Sequence, residues 1–105
     1  METQLKKGIL DILVLSTISK EDTYGYKIIQ DILPIMELPE STLYTILKRL
    51  EEQLLVVTIN KEIGGRVRKY YSITKSGKEK LLLMKGELSN LNQIIKFVLG
   101  EDNNE

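Results

Sequence analysis

The side chains best suited to binding chemistry are three basic residues that follow a pair of glycines. Arg66, Arg68 and Lys69 lie just beyond Gly64-Gly65, between two short runs of β-forming residues. Guanidinium and ammonium groups bind phosphates, and arginine is also favoured in the minor groove of DNA. The alternative is a charged hairpin whose charges keep its edge from aggregating. The pattern favours phosphate binding.

Catalytic and metal-binding chemistry has few suitable residues in this sequence. The 105 residues include no histidine and no cysteine, which removes the commonest transition-metal ligands and the usual general base near neutral pH. Serine, threonine and lysine are present, but no histidine is available to activate them. The carboxylates are scattered, and no glycine-rich phosphate loop precedes a helix. We therefore expect no enzyme activity, no metal site and no cofactor.

The formal net charge is zero, but the charge is unevenly distributed along the chain. Residues 48–80 carry a net charge of +5, whereas residues 1–47 carry −3 and residues 81–105 carry −2. Local charge, rather than the total, determines contact with phosphates. No uncharged run is long enough to span a bilayer, so we expect a cytoplasmic protein with no membrane partner.

Apolar residues at helical spacing predict four helices. Thr23 is placed to cap the second helix, and Pro34 is placed to end it. Pro39 is tolerated in the first turn of the third helix, and Thr74 is placed to cap the last. The predicted helices are Leu5–Ser19, Tyr24–Leu33, Pro39–Gln53 and Lys75–Leu99.

Two β-type runs, Val56–Asn60 and Val67–Ile73, separate the third helix from the last. A loop of about six residues around the glycine pair is expected to join them. Alternation along the second run predicts that Tyr71 and Ile73 pack inward. A helix with one polar side, followed by a hairpin with a basic tip, is typical of a winged helix-turn-helix that binds double-stranded DNA. The predicted fold class is α+β, mostly α, with a two-stranded wing and a long C-terminal dimerisation helix.

A single domain is expected over residues 1–105. Residues 1–74 would form the winged-helix DNA-binding part, and residues 75–99 the dimerisation helix. Residues 100–105 would form a disordered acidic tail. No internal repeat or linker interrupts the sequence.

The third helix presents a polar side opposite its apolar side. On the polar side, small hydroxyl groups can contact phosphates or base edges, and longer cations can hold phosphates. The candidate DNA contacts there are Ser41, Thr42, Thr45, Lys48 and Arg49. The alternatives are an ordinary solvated surface and, for Lys48, an ion pair with Glu52. Tyr44 lies on the flank, where it could reach DNA or pack against Tyr24 or Tyr26.

The second helix begins with two tyrosines and a lysine. In a helix-turn-helix this end faces the DNA backbone, where a hydroxyl or the helix N-terminus can contact phosphate. Tyr24 and Lys27 are therefore candidate DNA contacts, although core packing is an equal alternative for one of Tyr24 and Tyr26.

The last helix carries apolar residues that alternate steps of three and four. They are Leu81, Met84, Leu88, Leu91, Ile95 and Val98. This heptad-like stripe is typical of a helix–helix interface, and a helix about 37 Å long cannot bury all of it on so small a body. A second copy of the chain is the expected partner. The alternatives are an intramolecular core or a small-molecule cavity in the seam, with Met84 and Phe97 in its lining.

Four segments of the sequence resemble PadR-type transcriptional regulators in their short form. They read KGILDILVLSTIS, TYGYKIIQDI, STLYTILKRLEEQLLV and GRVRKYYSITKSGKEKL, and they extend over almost the whole chain. Three positions depart from the family's pattern. Leu54 stands where a glycine usually follows the third helix, and Val67 stands where a proline is common in the wing. No tryptophan is present, and Leu88 lies near the place where some drug-binding members have one.

The resemblance implies a homodimeric repressor that binds a promoter dyad. It implies that the last helix forms the dimer interface together with the first, which adds Leu5 and Ile9 to Met84, Leu88, Leu91, Ile95 and Val98. A small molecule or a protein partner would act as the effector that releases DNA. Two rivals remain open: a winged-helix module that binds protein, and a small-molecule sensor dimer with incidental DNA affinity.

Overall fold

The computed structural model describes residues 4–101, except for the side chain of Leu5. The elements in chain order are α1 (Gln4–Lys20), α2 (Gly25–Ile32), α3 (Glu40–Glu52), β1 (Val56–Ile63), β2 (Arg66–Ile73) and α4 (Lys75–Leu99). The two strands pair antiparallel in a two-stranded sheet. The predicted fold class, a mostly helical winged helix with a long last helix, is confirmed. Of the predicted tail, residues 102–105 lie outside the described part of the chain.

The core forms where the first three helices meet the base of the sheet. Leu15 of α1, Ile28 of α2 and Leu47 of α3 are almost fully buried. Burial of each such side chain contributes about 1.5–3 kcal/mol. The sheet adds Val56 and Tyr71 to this core, so the inward packing predicted for Tyr71 is confirmed, and Ile73 packs beside it.

The start of α2 differs from the prediction. The cap residue is Tyr24, which makes no side-chain cap hydrogen bond, and the helix begins at Gly25. Thr23 instead pairs with the sheet: its N–H donates to Tyr71 O at 3.1 Å, and the Tyr71 N–H donates to Thr23 O at 2.7 Å. The Thr23 side chain is buried, and its hydroxyl has no hydrogen-bond partner among the described residues. The expected cap is wrong because the backbone of Thr23 extends alongside β2.

The helix α3 ends in a Schellman motif built on a leucine. The N–H of Leu55 donates to Leu50 O at 2.9 Å, and the N–H of Leu54 donates to Glu51 O at 3.0 Å. Leu54 occupies the left-handed position with φ of 62°. Glycine is usual there because a side chain costs about 1–2 kcal/mol in that conformation. The helix α3 therefore ends with the same hydrogen bonds that a glycine would allow, but Leu54 keeps the strain of the left-handed conformation.

The wing is a tight hairpin rather than two strands with a long loop. Its strands continue to Ile63 and Arg66, which face each other across a two-residue turn. Gly64 and Gly65 have φ of 61° and 80°. Positive φ at both central residues is what a type I′ turn requires, and glycine adopts it without strain. The predicted six-residue loop is thus wrong, and Val67 lies within β2.

The helix α4 is capped and anchored at its first turns. The Thr74 hydroxyl accepts from the Gly77 N–H at 2.9 Å and donates to Leu54 O at 2.7 Å, which confirms Thr74 as the cap. A β-carbon at Gly77 would lie 2.1 Å from Leu55 O, so the helix can approach α3's end only with glycine there. Leu81 is buried in the core. The distal turns extend away from the body. The molecule as a whole measures 58 × 27 × 26 Å.

Candidate nucleic-acid interface

The outward side of α3 carries small polar residues. Ser41, Thr45 and Lys48 are exposed, and Thr42 is half-buried. The Thr45 hydroxyl donates to the Ser41 carbonyl oxygen at 3.0 Å, which leaves its own lone pairs free to accept. Among the ion pairs of residues 4–101, Lys48 has none, so its ammonium does not pair with Glu52. This surface is available for a partner.

Arg49 faces α1 rather than solvent alone. Its guanidinium donates to the carboxylate of Asp11, and both side chains are partly buried. The pair ties α3 to α1 across the groove that Thr42 and Thr45 also line. A phosphate contact by Arg49 would therefore have to compete with Asp11.

Tyr44 packs its hydroxyl against the first residue of α2. A β-carbon at Gly25 would lie 2.3 Å from the Tyr44 hydroxyl oxygen, so only glycine fits there. Tyr44 as a whole is 45% exposed. Tyr44 therefore links α3 to α2 while it presents one edge to solvent. The sequence left open that Tyr44 packs against Tyr24 or Tyr26; its hydroxyl instead lies against Gly25, the residue between them.

Lys27 is held along the surface of α2. Its ammonium lies 3.1 Å from the Asp31 carboxylate, one helical turn away. The hydrogen bond and charge of Asp31 raise the pKa of Lys27 above its ordinary value. Tyr26 is exposed, and its hydroxyl accepts from Gln30 at 2.9 Å. Of the α2 tyrosines, it is Tyr24 that packs against the wing.

Five side chains form a continuous contact between the start of α2 and the wing, and we call them the wing clamp. The guanidinium of Arg68 lies 4.4 Å from the centre of the Tyr24 ring. The Tyr24 and Tyr70 rings meet edge to face, with centres 5.2 Å apart. The Lys61 ammonium lies 4.7 Å from the Tyr70 ring centre and 3.5 Å from the Asp22 carboxylate.

The sequence-based site contained two members of the clamp, Tyr24 and Arg68, and missed the other three. For Lys61 and Tyr70 the signal was the strand register, because Lys61 faces Arg68 and Ile59 faces Tyr70. Asp22 lies outside both strands and had no such signal. Residues directly opposite in an antiparallel pair project on the same side of the sheet. With a two-residue turn, the register places Lys61 opposite Arg68 and predicts that both project from the same side of the wing. The expected six-residue loop left Lys61 outside the strand, so this pairing was missed.

The other basic residues of the wing occupy its tip and its core-facing side. Arg66 is exposed directly after the glycine turn. The Lys69 ammonium lies 5.6 Å from the centre of the Tyr71 ring. Burial raises the pKa of the Tyr71 phenol, and the charge of Lys69 opposes that shift. The hairpin thus presents Arg66 at its end, with Arg68 and Lys69 on opposite sides.

The residues predicted to form a dimer interface lie along α1 and α4. Ile9 lines an apolar groove between the two helices, together with Leu88 and Leu91. Ile95 is 43% exposed and Val98 is 71% exposed. Met84 packs against the core of its own chain, and the side chain of Leu5 lies outside the described residues.

Within residues 4–101, no helix is long and apolar enough to cross a membrane, and no group of three or more potential ligands from Asp and Glu is placed to hold a metal ion. The geometry instead brings together a polar helix side, a basic hairpin and the start of α2.

Comparisons with known proteins give this arrangement a family. The sequence profile of the Transcriptional regulator PadR-like family matches residues 14–82. An uncharacterised protein from Lysinibacillus sphaericus is 32% identical over 104 residues, which cover 94% of this chain and 95% of that protein.

Solved structures agree over nearly the whole fold. A crystal structure from Streptococcus mutans is 38% identical, covers 100% of both chains and superposes with a TM-score of 0.84. A PadR family transcription regulator from Clostridium difficile is 34% identical, with a TM-score of 0.80 over 86% of this chain and 97% of that one. The chain therefore belongs to the PadR-like family of transcriptional regulators, which bind DNA and are not enzymes.

Proposed function

We propose that this regulator is a homodimeric repressor that binds a dyad operator through α3 and the wing. The observation that carries the proposal is the wing clamp, which joins the start of α2 to the basic hairpin. Because Tyr44 also fixes α3 against that start, the three predicted DNA-contacting elements meet at one place. A rigid surface of this kind suits a duplex better than a flexible peptide.

The residues divide into two groups by their expected contacts. Ser41, Thr42 and Thr45 would enter the major groove with α3, where hydroxyls contact base edges and phosphates. The longer side chains around them would contact the backbone, where each cation that neutralises a phosphate adds to the salt dependence of binding. These backbone contacts are Tyr24, Lys27, Tyr44, Lys48, Arg66, Arg68 and Lys69.

The unpartnered apolar surface of α4 supports the dimer. Leu88, Ile95 and Val98 are all substantially exposed in the single chain. Fully burying an apolar side chain of this size contributes about 1.5–3 kcal/mol. Covering these three side chains with a second copy of the chain would therefore stabilise the dimer. The groove that Ile9, Leu88 and Leu91 line lies on the same side of the molecule and would receive side chains of the partner's α4.

Repression would follow from occupancy of the promoter. Two copies of α3 would reach successive major grooves about 34 Å apart. An effector, a small molecule or a protein, would release the DNA by binding more tightly to a dimer in which the two α3 helices no longer match that spacing. Met84 and Phe97 are the two residues suggested to line a ligand cavity in the seam. They lie thirteen residues apart on α4, which separates them by about 140° around the helix. They would therefore not line one cavity of a single chain.

Fluorescence anisotropy tests the proposal. The duplex would come from the region upstream of the protein's own gene, at roughly 150 mM salt with a scrambled duplex as competitor. We expect a preference of about a hundredfold or more for the operator. Replacing Arg66, Arg68 and Lys69 by glutamine removes six cations from the dimer and should lower the slope of log affinity against log salt by about 5.

Lys85→Gln is the control, because it removes an exposed charge from α4, which carries none of the predicted DNA contacts. It should leave both affinity and slope unchanged. Binding without sequence preference on any genomic fragment would overturn the proposal in favour of a protein-interaction module.

A further inference from the structure

The side chain of Arg68 is held before any partner arrives. Its guanidinium lies over the Tyr24 ring, 4.4 Å from the ring centre, and the Tyr70 ring meets that ring edge to face from the sheet, with centres 5.2 Å apart. Tyr70 in turn carries the Lys61 ammonium over its own ring at 4.7 Å. Tyr70 therefore occupies the middle of the clamp, between the two cations of this side of the wing.

The backbone fixes the same junction. Thr23 and Tyr71 exchange two hydrogen bonds, at 2.7 and 3.1 Å, so the segment before α2 forms a single antiparallel bridge with β2. Asp22 pairs with Lys61 at 3.5 Å from the same segment. The wing is thus attached to the body at its outer edge, and Arg68 lies where that attachment meets solvent.

Stacking on an aromatic ring suits an arginine that must bind phosphate. A ring that covers a guanidinium makes no hydrogen bond with its N–H groups, so these groups can still donate to two phosphate oxygens. A free arginine would lose its rotamer freedom on binding, whereas one already held loses less. Lys61 is different, because the Asp22 carboxylate competes for its ammonium.

We propose that Tyr70 and Tyr24 are positioning residues that orient Arg68 for a backbone phosphate of the operator. Tyr24 supports the guanidinium directly, and Tyr70 acts through Tyr24. Lys61 and Asp22 secure the far end of the clamp and contribute no phosphate contact of their own. This inference rests on the proposed DNA binding.

A double-mutant cycle in the full-length protein tests the inference, with affinity for the operator duplex measured across a salt series. Tyr70→Leu should weaken binding about tenfold and lower the salt slope of the dimer by about two, because one phosphate contact is lost in each subunit. Tyr70→Phe keeps the ring edge and should stay within about twofold of the wild type. Arg68→Gln should weaken binding as Tyr70→Leu does, and the double variant Tyr70→Leu/Arg68→Gln should be no weaker than Arg68→Gln.

If Tyr70→Leu reduced operator affinity by the same factor in the wild type and in Arg68→Gln, the inference would be overturned. Tyr70 would then contribute to the stability of the protein and not to the orientation of Arg68. An unchanged salt slope in Tyr70→Leu would overturn it as well. If Tyr70→Leu unfolds on thermal melting, Tyr24→Leu replaces it in the cycle with Arg68→Gln. Tyr24→Phe then measures separately the loss of the Tyr24 hydroxyl, which is itself a predicted phosphate contact. A wild type without operator preference would overturn the proposed function together with the inference, whereas additive losses on a specific operator overturn the inference alone.

Discussion

The hydroxyl oxygen of Tyr44 occupies the space that a side chain at Gly25 would fill. A β-carbon on Gly25 would approach that oxygen to 2.3 Å and the ring carbon behind it to 2.9 Å. The start of α2 and the flank of α3 therefore fit together because one residue has no side chain. The glycine of the Tyr24-Gly25-Tyr26 sequence is thereby explained by its neighbour in space.

Gly25→Ala should destabilise the protein by about 1–3 kcal/mol, because the new methyl group must displace the Tyr44 ring from a well-packed contact. Urea unfolding followed by circular dichroism measures the change. Adding Tyr44→Ala to the variant removes the obstructing ring, so Gly25→Ala should cost much less in that background. An equal loss in both backgrounds would show that the glycine is required for another reason.

Leu54→Gly should stabilise the protein by about 0.5–1 kcal/mol. Leu54 adopts φ of 62° and is 69% exposed, so the substitution relieves left-handed strain and sacrifices little burial. The greater freedom of glycine in the unfolded chain offsets part of the gain. The matched control is Gln53→Gly at φ of −84°, where no strain is relieved and the protein should lose stability. A lower free energy of unfolding for Leu54→Gly would contradict the strain.

Thr23→Val should be neutral or stabilising by up to about 1 kcal/mol, because the buried Thr23 hydroxyl has no partner to lose. Thr74→Val is the opposite case. The Thr74 hydroxyl makes two hydrogen bonds at the start of α4, and its loss should cost about 1–2 kcal/mol. Thermal unfolding of the two variants side by side gives the comparison. A large loss in Thr23→Val would reveal a partner for its hydroxyl, such as a bound water.

Leu88→Asp combined with Ile95→Asp should convert the proposed dimer to monomers, since two carboxylates per chain would have to be buried without partners. Light scattering across a concentration series gives the mass. Leu82→Asp is the control, because Leu82 is 71% exposed and lies on the opposite side of α4 from the seam. A double variant that keeps the mass of a dimer would remove this stripe from the interface.

Thr45→Glu should abolish operator binding while leaving the fold intact, because Thr45 is exposed on α3 and a carboxylate there repels phosphate. Anisotropy measures the binding, and circular dichroism confirms the fold. Thr45→Ala provides the control for lost hydroxyl contacts and should retain measurable affinity. Wild-type affinity in Thr45→Glu would mean that α3 is not the DNA-reading helix.

Local sequence signals predicted what local interactions determine. The range Lys75–Leu99 was predicted as observed because Thr74 supplies a cap and the apolar stripe continues without interruption. The wing strands were predicted too short, since the exposed half of a hairpin buries no side chains and so shows no apolar alternation.

Contacts that join three elements had no local signal. Thr23 reads as a helix cap in isolation, and only its pairing with Tyr71 changes that role. The clamp depends on the register of the wing and on where α2 begins, so Tyr70 and Asp22 were missed. Arg49 looked like its exposed neighbour Lys48 until the structure placed Asp11 beside it.

Gly77 is the point at which the long helix α4 is held against the rest of the molecule. The backbone of Leu55 leaves no room for a side chain there, so the angle at which α4 departs is determined at this residue. Leu99 lies twenty-two residues farther along the helix, at about 33 Å, and a tilt of about 10° would move that end by about 6 Å. In the proposed dimer, a tilt of α4 by about 10° about Gly77 would therefore change the spacing between the two α3 helices by about 6 Å, close to the pitch of one α-helical turn.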